Sequence, residues 1–238
     1  MKIDNAASRL HNFLLQSQHG SNSLKDTRQI LRQYLNMPNA PDHELYKGLS
    51  GLLELPSKVQ KELKTNFPDY ELTYWLERVS RAFSQINLNS SWNGVISVID
   101  ERTLTELSTL SVLFKTKGDI ALIDQSEMNV FREKINELKE DLITAGLPAN
   151  MCNTILQYLN KVLSAIESYQ ITGVEPIMEA MESIIGRAAL NDNYRKALAD
   201  SGIGKKIGDI IGLVANAVTI AQGIPFVATP LLTLLESK

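Results

Sequence analysis

The sequence predicts an all-α protein, a multi-helix bundle with almost no β-structure. Apolar residues recur at spacings of three and four along most of the 238 residues, which is the period of an amphipathic helix. Capping residues, glycines and prolines divide these periodic segments into pieces of helical length. Apolar residues make up 44% of the chain and charged residues 21%, a composition typical of a folded globular protein.

The first half of the chain carries successive apolar stripes at helical spacing. They predict helices over residues 3–14, 24–35, 42–67, 69–86, 92–99 and 100–114. Asp42 and Asp100 are suited to cap the third and the last of these helices. Pro56 is expected to restart the third helix, because proline lacks the backbone N–H of a helix interior.

One short segment of this half fits either helix or strand. Residues 94–99 are rich in β-branched side chains, which favours a strand. However, Trp92, Val95, Ile96 and Ile99 keep helical spacing. We therefore predict a helix here.

The clearest predicted architecture is a helical hairpin after the interruption at Lys117, Gly118 and Asp119. We place a boundary there, between an N-terminal bundle (1–118) and a C-terminal bundle (119–238); one continuous domain is the alternative. Asp124 and Glu127 form a capping-box pair at the start of the hairpin. Two heptad-spaced stripes follow, formed by Met128, Phe131, Ile135, Leu138 and Leu142, and by Cys152, Leu156, Leu159, Leu163 and Ile166.

A turn and a third helix complete this bundle in the prediction. Residues 146–148, Gly-Leu-Pro, turn the chain, so the two heptad-patterned helices should form an antiparallel αα-hairpin. A further helix follows Gly173 and can close the bundle. Its apolar residues are Ile177, Met178, Met181, Ile184 and Ile185.

The C-terminal tract is unusual because it has no charged residue from Ile210 to Leu235. Pro225 and Pro230 divide it into two helical pieces, an apolar C-terminal hairpin. Three interpretations are open: buried core of the bundle, an interface with a partner, or a membrane element. We favour the core, since polar residues and prolines interrupt the tract. The candidate membrane or partner face consists of Gly204, Gly208, Ile211, Gly212, Val214, Val218 and Phe226.

The sequence contains no recognisable catalytic, cofactor or metal motif. The only cysteine is Cys152, and the three histidines lack partners at metal-ligand spacing. The run from Gly202 to Lys206 is not a phosphate loop, because Ala199 replaces its first glycine and Lys206 its Ser or Thr. The paired acids, Glu137 with Glu140 and Asp141, and Glu179 with Glu182, lie on predicted helix exteriors. We therefore expect no enzyme, no cofactor and no small-molecule substrate.

Residues 198–211 resemble the helix-hairpin-helix motif of DNA-binding proteins. Its pattern is matched by Gly202, Ile203, Gly204, Gly208 and Ile211. The resemblance implies that backbone N–H groups at a helix start bind a phosphate, with Gly202, Gly204, Lys205 and Lys206 as candidate residues. The simpler interpretation, which we favour, is a glycine that ends one helix before the next begins.

Charge and cysteine content limit the location and the partners. The formal net charge is −3, so the chain lacks the positive field of a dedicated nucleic-acid binder. A single cysteine and the absence of an apolar N-terminal signal lead us to expect a cytoplasmic protein. Membrane association on activation is the alternative.

Three function hypotheses follow. The first is a non-enzymatic adaptor, regulator or assembly subunit, of bacterial type, that binds protein partners or itself through helix faces. The second is a membrane-acting effector, pore-forming or tail-anchored, of the kind used in growth arrest or phage defence. The third is DNA binding through residues 198–211.

Overall fold

The computed structural model describes residues 4–19, 22, 24–35, 38–39, 41–117 and 121–222, and within these ranges the chain is helical without a β-strand. The all-α prediction is therefore confirmed. The helices are α1 (Ala6–Gln18), α2 (Thr27–Tyr34), α3 (Asp42–Asn66), α4 (Tyr74–Ser84), α5 (Asn93–Ile96), α6 (Glu101–Lys115), α7 (Gln125–Thr144), α8 (Ala149–Thr172), α9 (Glu175–Leu190), α10 (Asp192–Asp200) and α11 (Ile203–Gln222).

The chain forms two compact units. The first comprises residues 1–120 and 167–173, and the second comprises residues 121–166 and 174–238. The division along the chain lies next to the predicted boundary at Gly118. The assignment of residues 167–173, the end of α8 and the glycine after it, to the first unit was not predicted.

The first unit is built around α1, which packs against α3 and α6, while α4 packs against α6 and α3. Its core includes both tryptophans of the chain, Trp75 and Trp92, which are fully buried. Phe13 of α1 contacts the Trp92 ring edge-to-face, at 5.8 Å between ring centroids. Burial of these aromatic rings contributes to the stability of the unit, because each ring removes a large apolar area from water.

Several predicted helix ends are confirmed and two are corrected. The Asp100 carboxylate accepts from the Thr103 N–H at 2.9 Å, and Asp124 forms the expected capping box with Glu127. In contrast, Asp42 is the first residue of α3 rather than its cap, and it pairs with Arg28. Pro56 does not restart α3, which continues through it. Burial of the apolar face of α3 outweighs the interior-proline cost of about 3 kcal/mol.

The start of α4 and the length of α5 also differ from the prediction. The α4 helix begins at Tyr74 instead of Asp69, and the Trp75 N–H donates to the Glu106 carboxylate at 3.1 Å. A carboxylate from α6 thus satisfies a backbone donor in the first turn of α4. The helix predicted over 92–99 is confirmed only as the single turn Asn93–Ile96.

A buried polar network holds residues 167–173 in the first unit. Asp4 has a fully buried side chain and accepts from Arg9 Nε at 2.6 Å and from the Tyr169 hydroxyl at 3.1 Å. Arg9 Nη1 also donates to the Thr172 carbonyl at 3.3 Å. At Gly173, which has a φ of +79°, a Cβ would overlap the Arg9 guanidinium. Buried charges of this kind are tolerated because their hydrogen bonds are satisfied.

In the second unit, α7 packs most closely against α11, and α10 packs against α9 and α11. The predicted stripe of α7, from Met128 to Leu142, is buried throughout. Ile135 and Leu138 of α7 line a small apolar cavity together with Leu159 and Val162 of α8.

The buried stripe of α8 is centred one position earlier than predicted. It consists of Ile155, Leu159, Val162 and Ile166, whereas Cys152, Leu156 and Leu163 are only half-buried. Apolar residues cover more than one face of α8, so the neighbouring helices determine which face turns inward.

Candidate functional site

The segment that resembles a helix-hairpin-helix is a tight connection between α10 and α11. Gly202 lies between the helices with a φ of +72°, a conformation that glycine adopts without steric cost. Its N–H donates to the Ala199 carbonyl at 3.4 Å, and the Ser201 N–H donates to the Ala197 carbonyl at 3.1 Å. These bonds are those of a glycine that ends a helix, so the connection agrees with the simpler of the two sequence interpretations.

Gly204 allows the two helices of this connection to approach closely. A Cβ at this position would lie 3.1 Å from the Leu198 carbonyl oxygen and 3.3 Å from the Leu198 Cβ. These distances are shorter than ordinary van der Waals contacts, so a side chain would push α11 away from α10. The glycine is thus explained by packing, without a bound phosphate.

The charges around the start of α11 do not favour an anion. Lys206 forms an ion pair with Asp141 near the end of α7. Lys205 is exposed, but Asp200 and Asp209 flank the same connection. The two lysines are therefore outnumbered by three nearby aspartates, and a phosphate would have to compete with Asp141 for Lys206.

The candidate membrane or partner face lies mainly inside the second unit. Gly204, Gly208, Ile211, Val214 and Val218 are buried. Gly212 is half-buried, and Phe226 lies outside the described residues. Since these glycines and aliphatic residues pack against the rest of the unit, they form core rather than surface in this conformation.

The opposite side of α11 carries an exposed surface that the sequence analysis did not identify. Leu213 is 38% exposed and Ile220 is 75% exposed, with the exposed Asn216 between them. We call these three residues the outer strip. No charged residue occurs between Asp209 and the end of α11 at Gln222. The tract is apolar on nearly all sides, so its periodicity could not separate the outward face from the inward one.

The described residues contain no arrangement typical of a catalytic or metal site. Within them, no group of three or more His, Cys, Asp or Glu side chains could hold a metal ion. The acidic pairs considered in the sequence, Glu137 with Glu140 and Glu179 with Glu182, are exposed to solvent. None of the helices in the described ranges is long and apolar enough to cross a membrane.

Two features are therefore of functional interest, the α10–α11 connection and the outer strip of α11. Contacts within the second unit explain the glycines of the connection. The outer strip, in contrast, leaves the apolar side chains of Leu213 and Ile220 exposed to solvent. No protein-family model, curated protein or solved structure matches this chain.

Proposed function

We propose that this chain is a non-enzymatic helical protein, an adaptor, regulator or assembly subunit, that binds another protein through the outer strip. The first partner we expect is a second copy of the same chain. The observation that carries the proposal is the exposure of Leu213 and Ile220 on a helix face without charges.

Burial of the outer strip against a partner is energetically favourable. Each square ångström of apolar surface removed from water contributes about 25 cal/mol. Charged residues would oppose this burial, because they must be desolvated, and interface cores are accordingly poor in them. The exposed residues of α11 after Asp209 contain none.

The spacing of the strip supports self-association. Leu213, Asn216 and Ile220 are separated by three and four residues, the spacing of a two-helix seam. An asparagine in such a seam can bond to its copy on the partner helix and so define the register. A two-fold axis would place the strip against itself, as in most homodimers.

Sedimentation velocity over a concentration series tests this proposal. We expect the wild-type mass to rise from 26.5 kDa towards twice that value at roughly 10–100 µM, since a small interface is weak. The double variant Leu213→Lys/Ile220→Lys should remain monomeric. Ile143→Lys is the matched control, because Ile143 is 80% exposed on α7 of the same unit. A wild-type chain that stays at 26.5 kDa throughout contradicts self-association.

The second candidate is the membrane-acting effector, and the observation that favours it is the uncharged run from Ile210 to Leu235. Full-length protein should then float with anionic liposomes, and the variant Val227→Lys/Leu232→Lys should not. Substitution is preferable to truncation at Ser201, because truncation would remove the core residues of α11. If the wild type does not float, this candidate is rejected.

A further inference from the structure

The charges on the exposed side of α11 lie at one end of the helix. Lys205, Lys206 and Asp209, in its first two turns, are exposed to solvent. Between Asp209 and Ile220, the exposed residues are those of the outer strip, and none of them carries a charge. The exposed surface of α11 therefore has a charged start and an uncharged remainder, which gives it a direction along the helix.

Two of these charged residues lie in line with the outer strip. Lys206, Asp209, Leu213, Asn216 and Ile220 follow each other at spacings of three and four residues, which places them along one side of an α-helix. A second helix that packed along the whole of this side would therefore meet two charges before it reached the apolar residues.

The outer strip can pack against a second copy of itself in either direction. Leu213 lies about 4.5 Å before Asn216 along the helix axis and Ile220 about 6 Å after it, at a rise of about 1.5 Å per residue. Two copies that cross at Asn216 thus bring apolar side chains together on both sides of the asparagine pair. In a parallel arrangement Leu213 meets its own copy, and in an antiparallel arrangement it meets Ile220 of the second copy.

The charges distinguish these two arrangements. Parallel copies would bring Asp209 against Asp209 and Lys206 against Lys206, and like charges that meet in an interface are destabilising. The positive ends of the two α11 dipoles would also lie side by side. Antiparallel copies instead place Asp209 and Lys206 of one chain beyond the outer strip of the other chain. The residues that meet in the strip are then uncharged.

We infer that two copies of this chain associate through antiparallel α11 helices, with Leu213 of each copy against Ile220 of the other. This inference rests on the proposed function, because it specifies the geometry of that self-association. The two Asn216 side chains lie at the two-fold axis, where each amide can donate to and accept from its copy. One partner covers the whole strip, so the assembly closes as a dimer.

Cysteine cross-linking of the full-length chain tests this arrangement. Leu213→Cys and Ile220→Cys are made separately, both with Cys152→Ser, and one of the two chains carries a tag that changes its mass. After mixing and mild oxidation, the mixed disulfide should exceed either disulfide between identical chains roughly fivefold, because a disulfide requires Cα atoms about 4.4–6.8 Å apart. Ile143→Cys with Cys152→Ser measures random collision, since Ile143 is 80% exposed on α7.

Asp209→Asn is a second test, and it leaves the apolar residues of the strip unchanged. Removal of the like charges should make parallel copies bind roughly tenfold or more tightly. In the antiparallel arrangement Asp209 is remote from its copy, so the dissociation constant from sedimentation velocity should stay within about twofold of the wild-type value.

Two results would overturn the antiparallel arrangement and leave self-association intact. They are a predominance of disulfides between identical Leu213→Cys chains, and a large gain in affinity from Asp209→Asn. A wild-type chain that stays at 26.5 kDa, with no variant cross-linked above the level of Ile143→Cys, would instead reject self-association itself and this inference with it.

Discussion

The Arg9 guanidinium lies in a largely buried polar network of the first unit. It contacts the Asp4 carboxylate and the Thr172 carbonyl, and glycine at position 173 leaves room for it. Desolvation of such a pair offsets most of its Coulombic attraction. The main effect of the network is therefore to fix the position of residues 167–173, and its net contribution to stability is small. Removal of one partner is nevertheless strongly destabilising, because it leaves the other charge buried and unpaired.

Glu62 of α3 lies near the same network and provides a pH test. Burial raises the pKa of Glu62, and the attraction of Arg9 only partly opposes this effect. A folded-state pKa above the unfolded value means that the folded protein favours protonated Glu62. The contribution of Glu62 to stability is therefore fully present when the side chain is protonated, and it is lost as the pH rises through the folded-state pKa of Glu62.

We predict that Glu62→Gln raises the melting temperature at pH 7, because glutamine removes the buried charge. The gain should shrink as the pH falls through the raised pKa of Glu62, because the wild-type side chain then becomes protonated itself. Circular dichroism melts at several pH values measure this difference. Glu54→Gln, an exposed change on the same helix, is the control and should show neither effect. A gain that is constant across the pH range would contradict the explanation.

Within α11, Gly204 has no room for a side chain, whereas Gly212 has. Gly204 faces the Leu198 backbone, whereas a Cβ at Gly212 would meet nothing within 4 Å. Gly204→Ala should therefore destabilise the second unit by about 1–2 kcal/mol through overpacking. Gly212→Ala should stabilise it by up to about 1 kcal/mol, because alanine favours the helix.

Urea unfolding followed by circular dichroism measures both changes, and each variant is the control for the other. If both substitutions stabilised the protein, helix propensity would dominate. The close approach of α10 and α11 would then have no energetic role.

The whole molecule has two cores, and its two tryptophans lie in the same one. Trp75 and Trp92 belong to the first unit, so tryptophan fluorescence reports on that unit, while circular dichroism reports on all helices. The two methods can therefore assign the effect of a substitution to one unit or the other.

We predict that Asp4→Ala lowers the fluorescence midpoint in urea more than the circular dichroism midpoint. It leaves the Arg9 charge buried without its partner, at a cost of roughly 3–5 kcal/mol in the first unit. Gly204→Ala should show the opposite ranking, because it acts in the second unit. If the two signals moved together for both variants, the chain would unfold as one cooperative body.

The sequence alone determined the helical class and most helix positions. Helical periodicity and caps such as Asp100 and Asp124 depend on residues a few positions apart, so they can be read without knowledge of the fold. The same local information identified Gly202 as the residue between two helices.

Only the tertiary structure decided the rest, because it depends on residues distant in sequence. The start of α4 involves Glu106, and the place of residues 167–173 depends on the bond from Tyr169 to Asp4. The α11 helix has apolar residues on nearly every side, so its sequence does not show which face is buried. Packing against α7 and α10 decides this, and it leaves Leu213 and Ile220 exposed.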